Sequence, residues 1–238
     1  MSSVCCGKRL FNRQLMFTAS AIALLAASNA EAQEFPNFAA GSDWQGIYAG
    51  LHGGYGWGDT DASCPSGCDT ALGSYNTEGV LAGAQIGYNW ELAGFLVGLE
   101  GDISFSAIEG DAIFGGKTAS SELDWLSTLR ARAGVLATND ILIYGTGGIA
   151  WGDWEDTFNP LNTTNSWTDI RTGWTAGGGI EAKVSEQVSL KAEYLYVDFG
   201  DKAHTWSDPT IPIGPTSGTV TFDHQIHTVR IGLNVQLY

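Results

Sequence analysis

The chain has 238 residues, of which 32 are Gly and 16% are charged, so it is richer in glycine and poorer in charge than an ordinary soluble domain. It has 26 acidic residues against 11 basic ones, and this net charge of -15 argues against a nucleic-acid partner, because phosphate binding needs a basic surface. An aromatic content of 11% excludes a disordered acidic tail, and a single domain accounts for the length.

The first predicted element is a secretory signal peptide over residues 1–32. Basic residues precede an apolar stretch over residues 15–27, and Ala30-Glu31-Ala32 supplies a small-x-small cleavage sequence. The apolar stretch is too short for a membrane anchor, and no later segment approaches the ~20 apolar residues of a spanning helix. We therefore expect a short N-terminal segment over residues 33–43 and an exported domain over residues 44–238.

Cys64 and Cys68 are the two cysteines that follow the signal peptide. Oxidising conditions outside the cytoplasm favour a disulfide between them, whereas a metal site needs more Cys or His ligands close by. The spacing therefore predicts a disulfide at a loop tip in place of a redox or metal site.

Eight later segments alternate between apolar residues and polar or glycine residues, as half-buried β-strands do. These segments cover residues 46–57, 80–90, 95–105, 125–135, 141–151, 174–181, 190–196 and 228–237. Long polar connections over residues 58–79, 106–122, 153–170 and 200–224 alternate with short turns over residues 91–94, 137–140 and 183–187. Alternating long and short connections are typical of an antiparallel up-and-down barrel in the outer membrane, with long extracellular loops and short periplasmic turns.

Charge placement separates this barrel from a soluble β-sandwich or lipocalin, which hides its apolar face. The charged residues within the strands all share the glycine-rich face opposite the apolar one, so the apolar face is predicted to face lipid. These residues are Glu100, Asp102, Arg130, Arg132, Glu181, Lys191, Glu193 and Arg230. The predicted fold is all-β, an eight-stranded antiparallel up-and-down transmembrane β-barrel with four long extracellular loops.

Aromatic residues cluster at both ends of the predicted strands, which indicates two membrane-interface belts. The belt on the turn side contains Trp44, Trp90 and Phe95, and the belt on the loop side contains Tyr55, Trp57, Phe105, Trp125, Trp151, Trp174, Tyr194 and Tyr196.

The interior of an eight-stranded barrel is about wide enough for side chains to fill. Its four acids and four bases sum to zero charge, and an isolated buried ion is very costly, so we expect paired charges that plug the barrel. Glu100 and Asp102 are expected to meet Arg130 and Arg132 on the neighbouring strand. A charged, selective pore is the alternative.

The four long loops carry fourteen acids, among them Asp156 and Asp208, against Lys117 and Lys202, which places a charge of -12 on the outward surface. Such a surface repels anions and is suited to divalent cations shared with lipopolysaccharide phosphates; a merely solvated surface is the alternative.

Catalytic signals in the sequence are weak, and it contains neither Gly-x-Ser-x-Gly nor His-Glu-x-x-His. The glycine-rich run over residues 145–148 falls within a predicted strand and has no helix to bind phosphate. His224 and His227 are three residues apart, so on a strand they face opposite sides and cannot share a metal. We expect no enzymatic activity, no cofactor and no metal.

Five sequence blocks resemble the family of small outer-membrane β-barrel proteins that includes alphaproteobacterial outer-membrane immunogenic and opacity-like proteins. The blocks cover residues 44–50, 83–90, 98–102, 147–150 and 191–196. The resemblance implies an eight-stranded barrel that the barrel-assembly machinery inserts, with surface roles that vary between members, some being called porins and others adhesins or haem-binding proteins.

The C-terminus departs from the family pattern of a final aromatic residue after Gly-Leu-Asn. Leu233, Val235 and Leu237 lie on the apolar side, and Tyr238 is added beyond them. These four residues are the expected assembly signal.

We predict an integral outer-membrane barrel with an envelope-structural and surface-interaction role. A narrow porin for small solutes is the alternative, and a surface haem-binding or adhesin protein is the second alternative. The expected partners are outer-membrane lipid and lipopolysaccharide, the latter through divalent cations, and the barrel-assembly machinery.

Overall fold

The computed structural model describes residues 44–67, 72–92, 95–211 and 214–237. The predicted signal peptide and N-terminal segment lie outside this range. Within it the chain forms eight strands: β1 (Gly46–Ser66), β2 (Ser74–Leu92), β3 (Phe95–Phe114), β4 (Lys117–Thr138), β5 (Ile141–Asn159), β6 (Asn165–Lys183), β7 (Val188–Ser207) and β8 (Ser217–Gln236). The described residues contain no helix that is long and apolar enough to cross a membrane.

The strands close into one barrel. Each strand pairs antiparallel with the next along the chain, and β8 pairs antiparallel with β1. This closed order confirms the predicted up-and-down barrel. Closure leaves no open sheet edge within the hydrocarbon region, where unpaired backbone groups would be very costly.

The strands are longer than the sequence predicts, at 19 to 22 residues each. Because a tilted strand crosses the bilayer in about 9–11 residues, roughly half of each strand extends beyond it. Much of each predicted long loop is therefore regular strand, and the β3–β4 connection is reduced to Gly115 and Gly116. We call the parts of the chain within 58–79, 106–124, 153–173 and 198–226 the extracellular half, and the rest the membrane half.

The polarity of the two barrel faces is reversed between the halves. In the membrane half, apolar side chains such as Leu51 and Ile231 are exposed on the outside of the barrel. In the extracellular half, Ile108, Trp154 and Phe222 are buried inside, as in a soluble barrel. Because the exterior changes from lipid to water, apolar side chains face outward in the membrane half and inward in the extracellular half. A strand that reverses its pattern midway resembles a strand followed by an irregular loop, which is why these extensions were predicted as loops.

Three bulges accompany this change, the first of them on β3 between Phe105 and Ile108. On β4 the pairing register shifts between Leu123 and Trp125, so that the buried side chains have odd numbers before the shift and even numbers after it. On β7 the register shifts between Asp198 and Asp201, where Gly200 has a φ of 63°. A bulge adds one residue to one strand and bends it, and glycine adopts the left-handed conformation at little strain.

The aromatic belts are mostly placed as predicted, with Trp90 and Phe95 exposed near the periplasmic turns and Trp57 and Phe105 exposed near the extracellular half. Trp44 is the exception, because it is buried inside the barrel and its indole Nε1 donates a hydrogen bond to the Asn139 carbonyl (3.0 Å). Trp44 lies two residues before β1 and continues the even-numbered, inward-facing positions of that strand, which places it at the periplasmic mouth.

Candidate functional site: the barrel interior

The interior of the membrane half contains a charge layer made of the eight charged residues that the strand pattern predicts there. All eight are buried. Alternation directs them inward from β3, β4, β6, β7 and β8, and the register sets Glu100 directly opposite Arg130.

Arg130 is the centre of the charge layer. Its Nη2 lies 2.6 Å from Glu100 Oε1 and 3.0 Å from Asp102 Oδ2, and its Nη1 lies 3.0 Å from Glu193 Oε1. One guanidinium therefore holds three carboxylates, because its planar fork presents five donors.

The other three cations complete the layer. Arg132 Nη1 lies 3.0 Å from Glu181 Oε2, and Arg230 Nη1 lies 3.0 Å from Asp102 Oδ1. Lys191 Nζ lies 2.9 Å from Glu100 Oε1. The structure thus brings all eight predicted residues into one network in which every charge has an opposite partner.

Two tyrosines take part in the charge layer without having been predicted to do so. Tyr48 donates its hydroxyl hydrogen to Glu100 (2.7 Å), and Tyr144 donates to Glu193 (2.9 Å). The Arg132 guanidinium lies 4.8 Å and 5.1 Å from the centres of these two rings, in cation–π geometry. The sequence places both tyrosines on the polar face, but a single tyrosine does not reveal its hydrogen-bond partner.

An apolar layer lies above the charge layer and includes Leu81, Ile108, Leu126, Trp154 and Ile226. Beyond it, a second apolar cluster that includes Phe158, Trp206 and Phe222 fills the outermost part of the barrel. From the membrane half outward, the interior of the described barrel thus contains the charge layer, the first apolar layer and the second apolar cluster in this order. A hydrated path along the axis has to cross each of these layers.

A small polar cluster lies near these apolar layers, in the extracellular half. Asp156 accepts hydrogen bonds from Ser121 (2.5 Å) and from His224 Nε2 (3.0 Å) and forms an ion pair with Arg171. Burial disfavours the charged carboxylate, but the contacts with His224 and Arg171 outweigh burial and keep the pKa of Asp156 below its usual range. Asp156, Asp208 and Lys117 are buried, so the predicted assignment of these three charges to the outward surface is wrong.

This polar cluster does not have the arrangement of a catalytic triad. Asp156 lies between Ser121 and His224, whereas a triad needs the histidine beside the serine to take its proton. His224 is fully buried and His227 faces outward, as alternation predicts, and the described residues form no cluster of three metal-ligating side chains.

Acidic residues form a row on the outside of the extracellular half. Glu78 pairs with Glu109, Glu109 with Glu122, and Glu122 with Glu155, so four exposed glutamates occupy directly opposite positions on β2 to β5. Directly opposite side chains on antiparallel strands lie about 4.5–5.5 Å apart, where like charges repel. We call these four residues the glutamate ladder.

The predicted assembly signal is partly described. Leu233, Val235 and Leu237 are exposed on the lipid side, and the Leu237 amide donates to the Ile47 carbonyl (2.8 Å). Tyr238 lies outside the described residues. So does Cys68, and the disulfide with Cys64 stays a prediction.

Comparisons with known proteins agree with this architecture. The family model described as outer membrane protein beta-barrel domain matches residues 17–233. The 31 kDa outer-membrane immunogenic protein of Brucella melitensis is 32% identical over 211 residues, which cover 80% of this chain and 82% of that protein. The 22 kDa outer membrane protein of Rhizobium leguminosarum is 30% identical over 205 residues, or 86% of this chain and 83% of that protein.

Among solved structures, OprG from Pseudomonas aeruginosa aligns with a TM-score of 0.54 at 13% identity, over 82% of this chain and 99% of that one. This similarity shows the fold alone. The two sequence relatives are named for the outer membrane, and the lipid-facing exterior of the closed barrel fits that place. This chain is an outer-membrane protein and belongs to the outer membrane protein beta-barrel family.

Proposed function

We propose that the protein is a plugged barrel with an envelope-structural and surface-interaction role. The observation that carries this proposal is the filled interior, in which the charge layer spans the barrel lumen and apolar layers lie above it. The cavity beside Trp44 and Glu181 at the periplasmic mouth has a volume of about 10 Å³, which is close to the space of one water molecule. The small volume of this cavity and the burial of the charge layer support a membrane half that is filled by side chains.

Conductance of the refolded mature chain in a planar bilayer tests this proposal, with Arg130→Gln and Arg132→Gln measured in parallel. A plugged barrel stays silent although it is shown to be folded. Stable current steps in the natural protein, with a selectivity that changes in the two variants, would instead establish the narrow porin.

We also propose that the exterior of the extracellular half binds lipopolysaccharide phosphates through divalent cations. The glutamate ladder supports this proposal, because Mg²⁺ and Ca²⁺ prefer carboxylate oxygens and would relieve the repulsion along the row. The described residues offer Lys202 as an exposed cation in this half.

Thermal unfolding in lipopolysaccharide bilayers, with Mg²⁺ or with a chelator, tests this binding. Glu109→Gln should raise the melting temperature in chelator and lose this advantage in Mg²⁺, with Glu186→Gln on a periplasmic turn as the matched control. An advantage that is the same in both conditions would refute cation bridging at the glutamate ladder. Surface haem-binding and adhesin roles remain the second alternative, which the loops at the barrel tip would have to support.

A further inference from the structure

In the extracellular half, β6 and β7 run without backbone pairing to each other. These two strands pair over ten positions, from Trp174 opposite Asp198 to Lys183 opposite Ser189. On their other sides, β6 stays paired with β5 as far as Asn165, and β7 stays paired with β8 as far as Ser207. Residues 165–173 and 199–207 therefore each present an edge that pairs with no other strand among the described residues. We call this unpaired stretch the β6–β7 slit.

The bulge on β7 marks the start of the β6–β7 slit. Gly200 has a φ of 63° and adds one residue between Asp198 and Asp201 relative to β8. The bulge lies just beyond Asp198, where the backbone pairing of β7 with β6 ends. Gly173 lies against β7 at the same level, because a Cβ atom there would come within 2.1 Å of the Asp198 carbonyl oxygen.

Side chains bridge the slit in place of backbone hydrogen bonds. Lys202 Nζ lies 3.6 Å from Asp169 Oδ1, with both side chains partly exposed. The Trp167 and His204 rings stack with their centres 4.8 Å apart. The exposed ion pair contributes little to stability, so a competing strand has to displace mainly the ring stack and the hydrogen bond from the Ser207 amide to Asn165 Oδ1 (3.1 Å).

The surroundings of the slit are acidic. Asp198 and Asp201 lie on β7, and Asp223 lies directly opposite Asp201 on β8. Together with Asp169 they outnumber Lys202, the one exposed base that the described residues place there. A partner carrying basic side chains is therefore favoured over a neutral or acidic one.

We infer that the β6–β7 slit accepts an extended, basic polypeptide segment by strand addition. Backbone amides and carbonyls of the two edges supply the hydrogen bonds, except the amides of Gly200 and Ser207, which already donate to Asp198 and Asn165. The aspartates select basic side chains that alternate along the added strand. This inference rests on the proposed surface role and names the class of partner for it.

Binding of a labelled nine-residue peptide with the sequence Lys-Val-Lys-Thr-Lys-Val-Lys-Thr-Lys to the full mature barrel in nanodiscs tests the inference by fluorescence anisotropy. The matched control peptide has the same sequence with methylated backbone nitrogens at alternate positions, which keeps the charge and removes half of the donors. We expect the unmodified peptide to bind at least tenfold more tightly. Equal binding of the two peptides would reduce the interaction to charge attraction and overturn the inference.

Deletion of Gly200 tests the location. Without this residue β7 matches β8 position for position, and β7 should continue beside β6 and close the slit. We expect the variant to bind both peptides equally weakly and to protect the amides of residues 165–173 from hydrogen exchange. Protection without any change in peptide binding would overturn the inference.

A photo-reactive group on the central residue of the peptide gives an independent measurement on the natural protein, in case the deletion does not fold. Cross-links within 165–173 or 199–207 support the slit, and cross-links found only elsewhere exclude it. The conductance measurement tests the plugged barrel independently of the peptide. A conducting barrel would contradict the proposed plugged role, whereas the binding and cross-linking results decide only the strand addition.

Discussion

At the scale of single residues, a residue's position in the strand alternation decides whether its side chain meets lipid, water or the interior. In the membrane half of β4, Leu129 is exposed to lipid and its neighbour Arg130 is buried among carboxylates. Three carboxylates compensate the cost of burying the positive charge of Arg130. The guanidinium in turn compensates the cost of burying these carboxylates.

Arg130→Ala should be strongly destabilising, because it leaves Glu100, Asp102 and Glu193 with less compensating charge inside the barrel. Removing one partner of a buried ion pair costs about 3–5 kcal/mol. Urea unfolding of the refolded protein in lipid vesicles measures this loss. Glu186→Gln in the exposed β6–β7 turn is the control and should change stability by less than about 0.5 kcal/mol. An Arg130→Ala barrel as stable as this control would contradict the central role of Arg130.

Asp208 provides a pH-dependent prediction at the tip of the barrel. It accepts hydrogen bonds from the Thr210 hydroxyl (2.6 Å), the Asn162 amide (3.1 Å) and the Thr163 hydroxyl (3.0 Å), which tie the β5–β6 connection to the β7–β8 connection. These bonds, that of Thr210 above all, lower the pKa of Asp208 to about 2. A lowered pKa means that the carboxylate stabilises the folded tip above its unfolded pKa of about 3.9 and loses this effect as the pH falls through 2.

We therefore expect the amide NMR signals of Asn162 and Thr210 to stay constant from pH 7 to pH 4 and to shift near pH 2. In Asp208→Asn the same signals should be displaced at every pH and should show no such titration. A midpoint near pH 4 in the natural protein would mean that these hydrogen bonds do not lower the pKa of Asp208.

At the scale of elements, the sequence predicts the membrane half of the strands well and their extracellular half poorly. Alternation locates all eight strands where lipid lies on one side and a polar interior on the other, and it also identifies the eight residues of the charge layer. It fails where β3 continues through Ile108 to Phe114, because the lipid is gone and apolar side chains move inside.

The β6–β7 slit shows a second limit of sequence reasoning. β6 alternates up to its end and β7 alternates as far as its bulge, and nothing in the composition of residues 165–173 shows that their β7 partner is absent. Where pairing between two strands ends depends on the positions of bulges. At the β7 bulge Gly200 has a positive φ, and a single glycine in the sequence does not reveal this backbone angle.

The β3–β4 hairpin supports a prediction at this scale. Gly115 and Gly116 have φ values of 57° and 86°, as a two-residue hairpin turn of the mirror-image type requires. A Cβ at Gly116 would meet no atom within 4 Å, so the backbone conformation alone decides the effect of a substitution. Gly116→Val should destabilise the barrel by about 1–2 kcal/mol in urea unfolding, and Gly116→Asn should cost clearly less. Equal losses for Val and Asn would show that the left-handed conformation is not the cause.

At the scale of the whole molecule, the protein combines a membrane barrel and a soluble-type barrel on the same eight strands. The membrane half has a polar interior and an apolar exterior, and the extracellular half has the reverse. The charge layer therefore lies in the membrane half, and the apolar layers begin at the boundary between the halves and continue into the extracellular half. Assembly depends on the membrane half, because only that half must transfer from water into lipid.

The end of β8 tests this dependence. Leu237 lies on the lipid-facing side and its amide bonds to Ile47 on β1, so it contributes to closing the barrel at the periplasmic end. Leu237→Asp places a charge on the lipid side next to this closure and should block assembly, whereas deletion of Tyr238 leaves the described closure intact and should be tolerated. Heat-modifiable mobility of the protein in isolated outer membranes measures the folded fraction. A normal folded fraction for Leu237→Asp would mean that assembly reads residues further from the end, such as Leu233 and Val235, and not the last apolar position of β8.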